Sequence, residues 1–237
     1  MASAPRTRTP RERYRDRTRA EIKEIAVRQL ADGGVESVAL LRIAKELGMS
    51  GPALYRYFAG RDDLLAELVM DAYDSIASEV QAVDTSAGDR AALHALATAF
   101  RAWAVAQPHL YLLLQGTPVP GFTAPAETVD RARAVLGPFL PVFAEGRPVR
   151  SVNPLLTELR AWLRKDTAVA AWVEEWTGLS AAKPAAAVAL TGAITAWPQL
   201  HGTVGLEAAG QFTGMGHAPA TLLAVQVDML ADTFQLA

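Results

Sequence analysis

The sequence predicts an all-α protein, with a helix-turn-helix domain of three helices at the N-terminus and a larger helical bundle after it. Three observations carry that prediction. Apolar residues recur three and four apart along most of the 237 residues. No stretch alternates apolar and polar residues with the period of two that a half-buried strand requires. Gly, Pro and capping residues punctuate the chain at helix-length intervals. A hydrophobic content of 51% against 20% charged residues supplies ample material for a core.

Taken in order, Arg residues at 6, 8, 11, 13, 15, 17 and 19 alternate with Thr, Pro, Glu and Asp. A spacing of two scatters side chains around a helix, so residues 1–17 are expected to form a flexible basic arm. Thr18 and Glu21 fit a capping box, and Ile22, Ile25, Ala26, Gln29 and Leu30 follow at helical spacing until Gly33 and Gly34 stop the helix. Leu40, Ile43, Ala44 and Leu47 outline a second short helix ending at Gly48. Ser50 then caps a third, expected over 50–58, with Pro52 near its start and Leu54, Tyr55, Tyr57 and Phe58 beyond. Residues 18–62 thus read as a helix-turn-helix domain. Arg61, Asp62 and Asp63 open a long helix to about residue 83, the two carboxylates suiting the positive end of its dipole.

The remainder, 63–237, reads as helices and loops. Helices are expected over 89–107, with Leu93, Leu96, Phe100, Trp103 and Ala104 inward, and then from Pro108 through 114. Residues 115–125 form a Gly- and Pro-rich turn before a helix over 126–140. Shorter helices are expected around 155–165 and 168–176. The stretch 185–206 is small and apolar nearly all round, so it must be buried, and Pro198 should kink it. A last amphipathic helix occupies 217–234.

Composition removes several classes of function. There is no Cys, which excludes disulfides, thiolate catalysis and thiolate metal sites, and the four His are far apart in the chain. No metal, cofactor or catalytic site is expected: the sequence holds no phosphate-binding loop, no dinucleotide fingerprint, no His-Glu-x-x-His and no nucleophile elbow. The Arg-rich start lacks an apolar export segment, and the longest apolar run, 185–197, is shorter than the ~20 residues that span a bilayer. A cytoplasmic protein with no membrane partner is expected. Charge is segregated: residues 1–61 hold 13 Lys and Arg against 7 Asp and Glu, whereas 62–237 hold 10 against 18. A basic end on an acidic body suits contact with a polyanion, although a solvated basic tail gives the same pattern.

The stretch from Ile25 to Leu65, with Ser50-Gly-Pro-Ala-Leu-Tyr-Arg-Tyr-Phe58 at its centre, resembles the DNA-binding domain of the TetR family of bacterial repressors. Farther on, Gln107-Pro108-His109-Leu110-Tyr111, Gly116-Thr-Pro-Val-Pro-Gly121 and the series Trp197, His201, Gly202 resemble its Trp-His-Gly class of effector domain. The resemblance implies a DNA-binding regulator, not an enzyme: a ligand-responsive repressor that binds a palindromic double-stranded operator as a homodimer. A small-molecule effector of unknown identity, largely apolar, would release it. Residues 63–237 would then bind ligand and dimerise.

Mapped onto this sequence, Tyr55 and Tyr57 match phosphate-contacting aromatics, and Arg61 stands where a Lys commonly meets the backbone. Ser50, Gly51, Pro52, Ala53 and Arg56 fall on the face offered to bases or phosphates, and Arg42 and Lys45 lie within reach of the groove edge. Ala39 departs from the family, which usually has a capping Ser or Thr there. Few long side chains are left to read bases, which suggests that Arg11 to Arg19 add affinity from within the minor groove. For the ligand, Phe100, Trp103, Tyr111, Trp162 and Trp176, with Trp172, are candidates to line a pocket, and each also suits a core. For the dimer, Ile194, Trp197, His201, Leu222 and Met229 are candidates. Two other readings stay open: an activator or protein-gated regulator with the same DNA-binding end, and a small all-α enzyme that keeps the hairpin only for packing.

Overall fold

The computed structural model describes residues 9–116 and 125–237, and among them every regular element is helical. Arg6, Arg8 and most of the expected turn at 115–125 lie outside the described residues. The chain forms two compact units that divide between Val69 and Met70.

The N-terminal unit begins earlier than the sequence suggested. Helix α1 spans Pro10–Gly33, and its capping box is Thr9 with Glu12, not Thr18 with Glu21. Thr9 Oγ1 accepts from the Glu12 amide at 3.3 Å, and the Glu12 carboxylate accepts from the Thr9 amide at 2.7 Å. Residues 10–17, expected in a flexible arm, are therefore the first two turns of a helix. The physical reason is legible afterwards: Pro10 sits in the first turn, where its missing N–H costs nothing, and Arg and Glu are good helix formers. Thr18 is buried, and its hydroxyl donates to the Tyr14 carbonyl one turn back.

Helix α2 (Leu40–Glu46) has Ala39 at its N-cap and no side-chain cap of its own. Gln29 on α1 instead accepts from the Ala39 amide through Oε1 at 2.9 Å. Helix α3 (Gly51–Leu54) is shorter than expected, and hydrogen-bonded turns carry the chain from Tyr55 to Phe58. Helix α4 (Arg61–Gln81) starts here and continues past the unit boundary. The stripe Ile22, Ile25, Ala26 and Leu30 is buried, as are Leu40, Ile43, Leu54, Phe58, Leu64 and Leu65.

The second unit is built around one apolar helix. In chain order its elements are α5 (Asp89–Ala106), α6 (Pro108–Gln115), α7 (Thr128–Leu136), α8 (Phe139–Phe143), α9 (Asn153–Lys165), α10 (Thr167–Thr177), α11 (Pro184–Ala208) and α12 (Pro219–Phe234). Helix α11 runs on past Pro198 and packs against α5, α6, α8, α9, α10 and α12. Such close neighbours need small residues: a Cβ on Gly192 would lie 2.0 Å from Phe143 Cγ. The helix expected over 126–140 is two helices, because Gly137 and Pro138 interrupt it. Trp176 packs so closely on Gly137 that a Cβ there would come within 2.1 Å of its ring. No helix among the described residues is long and apolar enough to cross a membrane.

Candidate nucleic-acid interface and interior sites

The turn between α2 and α3 is closed by backbone geometry. Gly48 adopts φ 64°, its amide bonds to the Lys45 carbonyl at 3.2 Å, and the Met49 amide reaches the Ala44 carbonyl at 2.8 Å. This pair of bonds satisfies the last carbonyls of α2 and needs a residue that tolerates the left-handed region. Ser50 then caps α3, its Oγ accepting from the Ala53 amide at 3.3 Å. With Leu54 and Phe58 buried, Tyr55 and Arg56 between them are exposed.

Arg42, Lys45, Ser50, Pro52, Tyr55 and Arg56 are exposed, Tyr55 by 50%, while Gly51, Ala53, Tyr57 and Arg61 are half-buried. Lys45 and Arg56 have no ion-pair partner among the described residues. Arg42 donates to the Ser37 carbonyl. Arg61 is more committed than the sequence implied: it donates to the Val35 carbonyl and lies 3.6 Å from Glu36, and its Nε is buried without a partner. One residue that sequence reasoning passed over belongs to this surface, and one that it placed in the basic arm has a different task. Leu41 is 67% exposed on α2, and a Cβ on Gly51 would sit 3.3 Å from its Cδ2. Arg19 holds the turn after α3, donating to the Tyr57 carbonyl and to Glu67 with its guanidinium 4.4 Å from the Phe58 ring centroid. Sequence separations of 38 and 48 residues hide those contacts.

In the second unit, the six aromatic residues proposed to line a pocket do not share one cavity. Phe100 and Tyr111 are fully buried and meet Trp197 and His201 in an edge-and-stack cluster. The Trp197 and His201 rings are 4.2 Å apart. The Tyr111 hydroxyl lies 3.1 Å from His201 Nδ1, and Gln115 donates to the His201 carbonyl at 3.0 Å. His201 Nε2 is buried without a partner. Burial pushes the imidazole pKa down to about 4 and the Tyr111 hydroxyl pKa up, so both are neutral near pH 7. Trp103 is buried and donates to Ser75 at 2.9 Å. Trp162 is 39% exposed on α9 and faces Asp166.

Of these, Trp176 borders an open cleft, of about 400 Å³, between α7 and α10. Trp172, Arg133, Asp130 and Glu175 also line it, and Trp172 donates to the Arg133 carbonyl at 3.1 Å. A small void among Leu93, Phe139, Leu200 and Leu230 measures only about 10 Å³, barely the space of one water. Of the residues suggested for self-association, Met229 is 64% exposed, and Ile194, Leu222, Trp197 and His201 are half-buried. The last two are occupied in the aromatic cluster. Val225 (51%) on α12 and Leu206 (42%) on α11 are also exposed. No group of three or more His, Asp or Glu suited to a metal occurs among the described residues.

Comparison with known proteins gives the same two-part division. Residues 22–68 match the model described as bacterial regulatory proteins, tetR family, and residues 93–230 match the tetracyclin repressor-like C-terminal domain. The HTH-type transcriptional regulators Rv1816 of Mycobacterium tuberculosis and Mb1846 of Mycobacterium bovis are each 41% identical over 136 residues, 56% of this chain. The match spans 58% of the length of those relatives. The crystal structure of SCO4313 is 41% identical, covers 94% of this chain and 100% of its own, and superposes with a TM-score of 0.74. A protein of unknown function from Rhodococcus sp. RHA1, 21% identical over 91% of this chain and 94% of its own, shares the fold with a TM-score of 0.62.

Proposed function

The chain belongs to the TetR family of bacterial regulatory proteins; from that premise we propose that it is a transcriptional regulator, a ligand-responsive repressor. It binds a near-palindromic operator as a homodimer and is released by a small, largely apolar effector. The observation that carries the DNA reading is the capped α2–α3 hairpin, which holds Arg42, Lys45, Tyr55 and Arg56 outward from a buried base of Leu54 and Phe58. Arg56, with support from Arg42, reads base edges, and Tyr55, Tyr57, Lys45 and Arg61 meet phosphates, as do Ser50 and Gly51 at the start of α3. Pro52 and Ala53 offer apolar contact to a thymine methyl.

Self-association is supported by α12, where Leu222, Val225 and Met229 follow at helical spacing and stay wholly or partly exposed. A two-fold pair would set the hairpins one helical turn of DNA apart, about 34–36 Å. The effector acts on the second unit, and its differential binding to two conformers is passed along α4, the helix that begins at Arg61 and continues past Met70.

Selection from random duplex DNA at physiological salt tests this reading. An enriched palindrome is expected. Tyr55→Phe with Tyr57→Phe should weaken binding evenly across sequences, and Arg56→Ala should relax one position in each half-site, costing about 1–3 kcal/mol of discrimination there. Salt-sensitive binding without sequence preference would overturn it.

A further inference from the structure

The first two turns of α1 carry three Arg side chains that the fold does not use. Every other basic residue of this helix has a partner. Arg17 lies 3.6 Å from Glu21, Arg19 and Lys23 both meet Glu67, and Arg28 meets Glu24 and Glu46. Arg11, Arg13 and Arg15 are exposed and have no ion-pair partner among the described residues.

Their placement is not uniform around the helix. Arg11, Arg15, Thr18, Ile22 and Ile25 follow at spacings of four, three, four and three, so they lie along one stripe. From Thr18 onward that stripe is buried. Before Thr18 it continues, beyond the buried part of the helix, as Arg11 and Arg15. Arg13 points about 200° away from Arg11, at 100° per residue. Arg15 is also one turn before Arg19, whose guanidinium bonds the Tyr57 carbonyl and lies over Phe58. Arg11, Arg15 and Arg19 thus form a ladder with rungs about 6 Å apart along the axis. Its inner rung is fixed to the turn after α3.

We infer that Arg11 and Arg15 form a second DNA contact that grips backbone phosphates beside the half-site, outside the groove that the hairpin reads. The inference rests on the DNA reading above. It also replaces the groove-insertion idea for these residues. An α-helix with side chains is about 10–12 Å across, and the minor groove is about 6 Å wide, so the capped helix from Pro10 does not enter it. A guanidinium on a rigid helix suits bidentate binding of phosphate oxygens along the rim instead. The contact therefore adds affinity and salt dependence and carries no sequence information.

The test is the salt dependence of binding to the selected operator, measured on full-length protein carrying Arg11→Ala and Arg15→Ala together, with Arg13→Ala as the control. Each phosphate contact contributes about 0.9 to the slope of log affinity against log salt. The double variant should lower the slope by about 1.8 per protomer and leave the selected sequence unchanged, while Arg13→Ala should leave both unchanged. An unaltered slope in the double variant would overturn the inference, as would an equal loss in Arg13→Ala, which would mark a net-charge effect. A changed preference for flanking A·T pairs would also overturn it, by pointing to groove insertion. Failure of the unmodified protein to select any sequence would instead sink the DNA reading. All three substitutions are at exposed positions, so an unchanged thermal transition is expected to accompany each.

Discussion

Acidification should destabilise the second unit through His201. Its imidazole is buried beside Phe100, Tyr111 and Trp197, and burial lowers its pKa from 6.5 to about 4. In the unfolded chain the ring titrates near 6.5, so between pH 6.5 and about 4 the unfolded state binds the extra proton. Stability is therefore complete above pH 6.5 and is lost as pH falls through that window. At 1.36 kcal/mol per pH unit, the loss reaches about 2 kcal/mol at pH 5 and is bounded at about 3 kcal/mol near pH 4. The carboxylates that hold a lowered pKa, Asp84, Asp166 and Asp228, exert their effect below 3.8, outside this range. The assay is urea denaturation at pH 7 and pH 5, followed by tryptophan emission. All five tryptophans lie in the second unit, so emission reports on it alone. His201→Gln, which retains an acceptor for Tyr111, should abolish most of the difference between the two pH values. An equal acid loss in the variant and the unmodified protein would refute the reasoning.

Two further substitutions test the packing that positions these sites. Gly192→Ala places a methyl group 2.0 Å from Phe143 Cγ at the centre of α11, and overpacking of that kind should cost about 1–3 kcal/mol in chemical denaturation; a neutral result would show that α8 yields. Arg19→Ala removes the guanidinium from the Tyr57 carbonyl, Glu67 and the Phe58 ring. It should cost about 1.5–3 kcal/mol of stability and weaken operator binding, read by calorimetry and fluorescence anisotropy. Unchanged binding would mean that the turn after α3 holds its shape alone.

Much of this architecture is legible from local spacing. Ile22, Ile25, Ala26 and Leu30 mark the buried stripe of α1, and the Gly48 turn and Ser50 cap mark the hairpin, because each involves residues within one or two turns of one another. Where two local signals compete, spacing alone does not choose. Thr9 and Thr18 each precede a Glu by three, and only the structure shows Thr18 bonded back to Tyr14 inside a running helix. The break at Gly137 and Pro138 was written in the chain, yet apolar periodicity on both sides masks it. Long-range partnerships leave no local trace. Tyr111 and His201 are 90 residues apart, and nothing in either neighbourhood says that they share a hydrogen bond. The aromatic residues could be grouped by type, but their division into a buried cluster, an exposed Trp162 and a cleft-lining Trp176 depends on how helices pack.

The bond from the Ala39 amide to Gln29 has a consequence for the charge of the hairpin. In a self-contained capping box, the third residue of the helix is a Glu or Gln that reaches back to the N-cap amide. In α2 that third position is Arg42. Because Gln29 reaches across from α1 to take up the amide, position 42 is relieved of the acceptor's task and is free to carry a positive charge. Substituting Gln29 would thus reopen a choice at position 42 between holding the start of the helix and attracting a polyanion. Residues 29, 39 and 42 are expected to be constrained together in evolution, although only the last of them faces outward.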